Sequence, residues 1–322
     1  MSTPLYHLDW LTLGGQGYTD SRGVQWVLME ETGFWDSPEP RTDIVERVNA
    51  HGSFVGPSWF RHRVITLTGR AFHDDPRVMR TAESRVSGMG SGRTQSMTLT
   101  CDSEIGPLSC DVRRDDAVIT SPVPLMNSHA FEFSMQLVAP DPRKYSTRWR
   151  TMRAGLPQAD SGDGLDFNQL EDGIWLKTVT KNRGLDFTGN STGGLLFGQS
   201  NETGFLQLTN AGTAPTAPIY TLYGPLDQPV LAATTGGDTA MLRYNARLEA
   251  GEHVVINPTT PAVLLGGTAS RRHLLNPAEF NGFYIPAATA DGRSGVLNVG
   301  LRHSGATTTG GYATATFRDA WY

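Results

Sequence analysis

Cysteine is nearly absent from this 322-residue chain: Cys101 and Cys110 are the only two. That rules out a disulfide-stapled scaffold, and no CxxC pair is present for dithiol redox chemistry. A tight turn at Ile105-Gly106 would set the two cysteines opposite each other across a hairpin. A disulfide is then conceivable, while two small half-buried thiols are the expectation in a reducing cytosol. Lysine is also scarce. Of 27 basic residues only Lys144, Lys177 and Lys181 are Lys, and the Arg excess suits forked ion pairs at protein interfaces. GC-rich coding would give the same bias. No long apolar run exists; Pro261–Leu265 is typical, far short of the roughly 20 residues that span a bilayer. The opening MSTPLYHLDWLTLGG lacks the basic start and apolar stretch of a signal peptide, so the product is expected to stay in a cytosol or be packaged from one. Basic surplus is missing too. Residues 1–153 hold 17 Lys+Arg against 18 Asp+Glu, residues 154–322 hold 10 against 14, and the net charge is −5. Direct recognition of nucleic acid through phosphate neutralisation is therefore not expected.

What is abundant is glycine (36) and proline (19), scattered as turns between short strands. Period-2 patterns mark those strands. Val24, Trp26 and Leu28 alternate, as do Ile65 and Leu67, and Met97–Cys101 alternates apolar with hydroxyl residues. The clearest is Ala130–Leu137, with Phe131, Phe133, Met135 and Leu137 on one face. One segment reads as helix. Asp75 caps it, Pro76 takes the first position, Gly88 stops it, and Val78, Met79, Ala82 and Val86 form its apolar stripe. Composition changes over 140–164, ending in the turn-prone Gln158–Gly164. That predicts an N-terminal domain over 1–153 and a C-terminal domain over 154–322. In the second, strands are expected at 204–209, 218–223, 241–248, 252–256, 261–265, 295–301 and 312–318, a spacing that suits a β-sandwich. Gly164-Leu-Asp-Phe167 recurs as Gly184-Leu-Asp-Phe187, which two copies do not make a solenoid.

The search for reaction chemistry returns little. HExxH and the Walker loop are both absent. Met89-Gly-Ser-Gly92 is glycine-rich, but it follows a helix instead of opening one and so lacks a phosphate cradle. Asp160, Asp163 and Asp166 recur every third residue, unlike a calcium loop. His62 and His273 lie beside arginines without partners at metal spacing. Glu171, Asp172, Glu249 and Glu252 are acids that nothing pairs into a hydrolase site. Trp175, Tyr220, Tyr223, Phe280, Phe283 and Tyr284 could form a sugar-stacking platform or simply fill a sandwich core. The expectation is no catalytic residue, no cofactor and no metal, with interface residues unassigned.

The order of parts resembles that of siphophage distal tail proteins. An early strand pair (Tyr6–Leu13, Val24–Leu28) precedes a loop carrying Arg41 and Gly52. Arg63-Val-Ile-Thr-Leu-Thr-Gly-Arg70 is similar to that family's R-x-I-x-L-x-G strand. One helix, a hairpin and a strong alternating strand follow, ending in Ala139-Pro-Asp-Pro-Arg143. Asn210–Ile219, Tyr223-Gly-Pro225, Leu248–Glu252 and the ending Phe317–Tyr322 resemble the family's second domain. The segment around 160–200 departs from the pattern. The resemblance implies a mainly β fold: a barrel or sandwich belt domain with one helix, then a galectin-like sandwich. It implies a non-enzymatic virion component of the tail tip, assembled in the host cytoplasm. A homo-hexameric ring would join the tail tube protein to the tail hub or tail-associated protein, near receptor-binding proteins. A glycan-binding adhesion module contacting the host surface is the alternative.

Overall fold

The computed structural model describes residues 4–92, 95–123, 129–156, 170–171, 174–175, 204–235, 238–277, 280–304 and 310–322. Its fold is mainly β and divides into two compact units, Met1–Arg148 with Ala320–Tyr322, and Trp149–Asp319. The chain therefore crosses between units twice. The sequence boundary at 153/154 differs on both counts. Strand Arg150–Gly155 pairs inside the second unit, and strand Ala320–Trp321 pairs inside the first.

The first unit contains β1 (Leu5–Leu8), β2 (Leu11–Gly14), β3 (Tyr18–Thr19), β4 (Gln25–Thr32), β5 (Pro40–Glu46), β6 (Ser53–Phe60) and β7 (Arg63–Phe72). The helix α1 (Pro76–Ser87) follows, then β8 (Met97–Cys101), β9 (Leu108–Arg114), β10 (Ile119–Pro122), β11 (Ala130–Ala139) and β12 (Lys144–Ser146). Seven of these strands close a barrel in the order β11-β7-β4-β2-β1-β8-β9, with β9 returning to β11. Closure removes free sheet edges, each a row of unpaired N–H and C=O groups. The alternation in sequence becomes the barrel's inside and outside. Ile65, Leu67, Phe133, Met135 and Leu137 are buried, while Thr66, Thr68, Ser134 and Gln136 are half-buried outside. Phe133 faces Gly69 across the β7–β11 pair, and a Cβ on Gly69 would collide with its ring. The expected Tyr6–Leu13 strand is broken in two. Asp9 turns at φ 52, so β1 folds back on β2 as a hairpin.

Helix α1 starts and stops where the sequence predicts. Asp75 accepts from Arg77 N at 2.8 Å, Pro76 begins the helix, and Gly88 ends it with its N–H on Ser84 O at 3.0 Å. Met79, Ala82 and Val86 are buried, and Val78 packs beside them. Met89 continues into the core, and Arg114 Nη1 holds the Ser87 and Met89 carbonyls at 3.0 Å each, so the glycine-rich stretch is an anchored turn.

The second unit is a sandwich. Its six-stranded sheet runs Arg150–Gly155, Tyr312–Phe317, Ile219–Tyr223, His253–Asn257, Ala262–Leu265 and Ala269–Ser270. Its five-stranded sheet runs Phe205–Asn210, Gly295–Arg302, Val230–Thr235, Asp238–Tyr244 and Leu275–Asn276. Inward residues of both sheets form one apolar core around Tyr220, Ile256, Phe317, Leu231, Leu297 and Phe283. The expected strand 241–248 is split: Arg247–Leu248 leaves to pair with Leu226–Asp227. The Asn210-Ala-Gly motif has a physical cause. Asn210 is buried, its Nδ2 donates to Ala214 O (2.7 Å) and Pro286 O (3.0 Å), and its Oδ1 accepts from Gly212 N (3.0 Å).

Candidate interaction surface

Between β4 and β7 the chain leaves the barrel. Strands β5 and β6 pair only with each other, forming a two-stranded arm. The resemblance made this a loop carrying Arg41 and Gly52, and Pro40, Gly56 and Pro57 do interrupt its alternation. The signal that could have found it is the pair of apolar runs, Ile44-Val45 and Phe54-Val55, on either side of the turn-prone Asn49–Gly52. Arg47 N bonds Gly52 O at 3.1 Å, and Gly52 sits at φ 94, where a side chain would be strained.

The arm's side chains lack cover. Val48 at the tip is 95% exposed and Trp59 71%, and Ile44, Val45, Phe54 and Val55 are all exposed. Ile44 pairs with Val55 and Val45 with Phe54. Successive side chains on a strand point oppositely, so these pairs stand on opposite faces. The arm is thus apolar on both sides. An isolated two-stranded hairpin is marginal in water, and a contiguous exposed apolar surface marks an interaction site.

The arm's root, by contrast, is fixed. Gly33 turns at φ 92 against β7, where a Cβ would fall on the Val64 carbonyl. Arg63, only 2% exposed, donates from Nη1 to the carbonyls of Gly33 (2.6 Å), Phe34 (3.2 Å) and Asp36 (2.6 Å), and from Nε to Pro142 O (2.9 Å). Lys144, also 2% exposed, donates to Phe34 O at 2.9 Å with its Nζ over the Phe34 and Trp35 rings. Trp35 Nε1 donates to Tyr6 Oη at 2.7 Å, and Tyr6 Oη donates to Glu31 at 3.2 Å. The returning strand Ala320–Trp321 pairs with β12, and Tyr322 lies 4.5 Å from the Phe60 ring.

Burial first, and the Arg63 charge second, push Lys144 down to about 8. The sign follows. An unfolded chain holds that proton up to its ordinary 10.5, so between about pH 8 and 10.5 the unfolded state binds more protons and stability rises with pH. Burial raises Cys101 to about 11 and Cys110 to about 12, which opposes this above pH 9. Comparison with Lys144→Met isolates the lysine. From pH 7 to pH 10 the wild type is expected to gain about 2–3 kcal/mol relative to the variant in urea unfolding. Equal pH profiles would refute it.

The raised thiols are protonated at neutral pH and are not nucleophiles. Both cysteines are free and buried. Across the hairpin Cys101 faces Leu108 and Cys110 faces Leu99, so the register sets them diagonally instead of opposite each other. His62 and His273 are exposed, and no three His, Cys, Asp or Glu cluster among the described residues. Asp160, Asp163, Asp166, Asp172 and the Gly-Leu-Asp-Phe repeat lie outside the described residues, as do the side chains of Glu171 and Trp175. Glu252 accepts from Glu249 N in a surface turn. No helix among the described residues is long and apolar enough to cross a membrane.

The aromatic candidates scatter. Tyr220, Phe280 and Phe283 are core, and Tyr284 donates to Pro258 O. Tyr223 stacks on Tyr312 at 4.5 Å, with His253 beyond Tyr223 and Arg153 4.0 Å from the Tyr312 centroid. That column occupies the ring faces that a sugar would need.

No family model and no curated protein sequence matches the chain. Among solved structures, the Dit protein (gp 19.1) of phage SPP1 aligns over 100% of both chains with a TM-score of 0.63 at 8% identity. It is described as a paradigm of the hub adsorption apparatus in phages infecting Gram-positive bacteria. Chains of the phage P2 baseplate in its activated conformation, with Ca and with Sr, each give a TM-score of 0.47. They are 10% and 9% identical over 97% and 98% of both chains. From the first barrel strand to the closing strand Ala320–Trp321, this chain has the fold of SPP1 Dit.

Proposed function

We propose that this protein is a structural component of a long-tailed phage tail tip. It forms a hexameric ring that connects the tail tube to the hub or tail-associated protein and to host-adhesion parts. The first unit acts as the ring-forming belt domain, and the second is a galectin-like sandwich. The observation that carries the reading is the rigidly rooted arm, apolar on both faces and uncovered in a single copy. The full-length fold shared with a phage hub protein is consistent with it. Identical head-to-tail contacts close into a ring when the rotation per subunit is right. The role is assembly in the virion and needs no bond-making chemistry.

Light scattering of the purified chain, with negative-stain images of the same sample, tests the proposal. Six-subunit rings with an open centre are expected. A strict monomer at every concentration, with or without tail tube protein, would overturn it.

A further inference from the structure

We propose that the tip of the arm docks into a groove on a second copy of this chain, walled by Leu5, Trp35, Glu104 and Ile105. This rests on the ring reading and names the surface that receives the arm. The groove has a volume of about 560 Å³ and lies between the start of β1, the root of the arm and the β8–β9 turn. Ile105 is 62% exposed and Trp35 is exposed beside it. Glu104 makes no ion pair among the described residues, while neighbouring Asp102 is held 3.3 Å from His7.

The tip carries the complementary features. Val48 and Phe54 are exposed apolar groups, and the Arg47 guanidinium lies 4.8 Å from the Phe54 ring without a carboxylate partner among the described residues. The tip 47–52 contains no acid. Arg47 at the tip and Glu104 at the groove thus place opposite charges beside the two apolar patches. A charge beside a shared apolar contact sets register and partner choice.

Self-docking is excluded by length. The groove includes Trp35, a few residues before β5 begins at Pro40, and the extended β5 carries the tip roughly 20 Å away at about 3.3 Å per residue. The tip and the groove therefore meet only between copies. Because they are different surfaces of one chain, the contact can repeat head-to-tail from copy to copy, the geometry that ring closure requires.

The test is the double variant Val48→Cys with Ile105→Cys, oxidised by diamide and run on a denaturing gel without reductant. The native thiols are buried. A ladder of covalent oligomers up to six is expected from the double variant and from neither single variant. As a second arm, Arg47→Glu and Glu104→Arg should each lower ring yield at least tenfold, and the two together should restore it. Rings that form normally with neither cross-linking nor charge rescue would overturn the docking site and leave the ring reading standing. A chain that never leaves the monomer would remove both.

Discussion

A chain lacking Asp43–Pro57, with Thr42 joined to Ser58 through Gly-Gly, is expected to fold normally and to remain monomeric at every concentration. The register makes the deletion clean. Thr42 and Ser58 are cross-strand partners, bonded Oγ1 to Oγ at 3.0 Å, so a two-residue turn closes the shortened hairpin. The removed side chains are nearly all exposed and add nothing to the barrel core. Folding stability should change by no more than about 1 kcal/mol. Ring formation should fall below detection. Circular dichroism and denaturant midpoints report the first effect and light scattering the second. Rings of unchanged yield from the shortened chain would show that the arm does not hold copies together.

Arg63→Ala is expected to cost about 3–5 kcal/mol of stability and to loosen the arm's root before the barrel melts. Four carbonyls, from Gly33, Phe34, Asp36 and Pro142, take their donors from this one side chain. The Phe34 bond is buried and the other three are partly buried; a buried carbonyl left unpaired costs about 1–3 kcal/mol, and among the described residues only Phe34 O keeps a second side-chain donor, Lys144. Arg63→Lys should recover little, since one ammonium cannot span the positions that the planar guanidinium reaches. Urea unfolding measures the total. Hydrogen exchange over residues 33–39 and 58–61 reads the local loss, and protection there unchanged from the wild type would contradict the anchoring role.

The period-2 face Phe131–Leu137 and the pattern Ile65–Leu67 were legible in sequence because burial on one side of a strand leaves an alternation that no other element produces. Helix α1 was legible for the same kind of reason. Asp75, Pro76 and Gly88 act within a few residues of themselves, so their effect needs no tertiary context. The arm was not legible. Its strands are covered on neither side in one copy, so no inside and outside existed to impose alternation, and Pro40 and Pro57 interrupt it further. The sugar platform was equally undecidable. An aromatic residue in a strand looks alike whether it fills a core, as Tyr220 does, or stacks in a half-buried column, as Tyr223 does.

The sequence by itself determined a strand-rich chain with one capped helix, a second half spaced like a sandwich, and a nearly even charge balance. All of these follow from local periodicity and composition. Only the tertiary structure decided that β9 returns to β11 to close a barrel, that residues 320–322 come back to the first unit, that the cysteines sit diagonally, and that Arg63 and Lys144 are buried cations holding the root of an arm. These depend on pairings between residues far apart in the chain. Register and closure are set by which distant strand offers a complementary edge and apolar face, information that no short window of sequence contains.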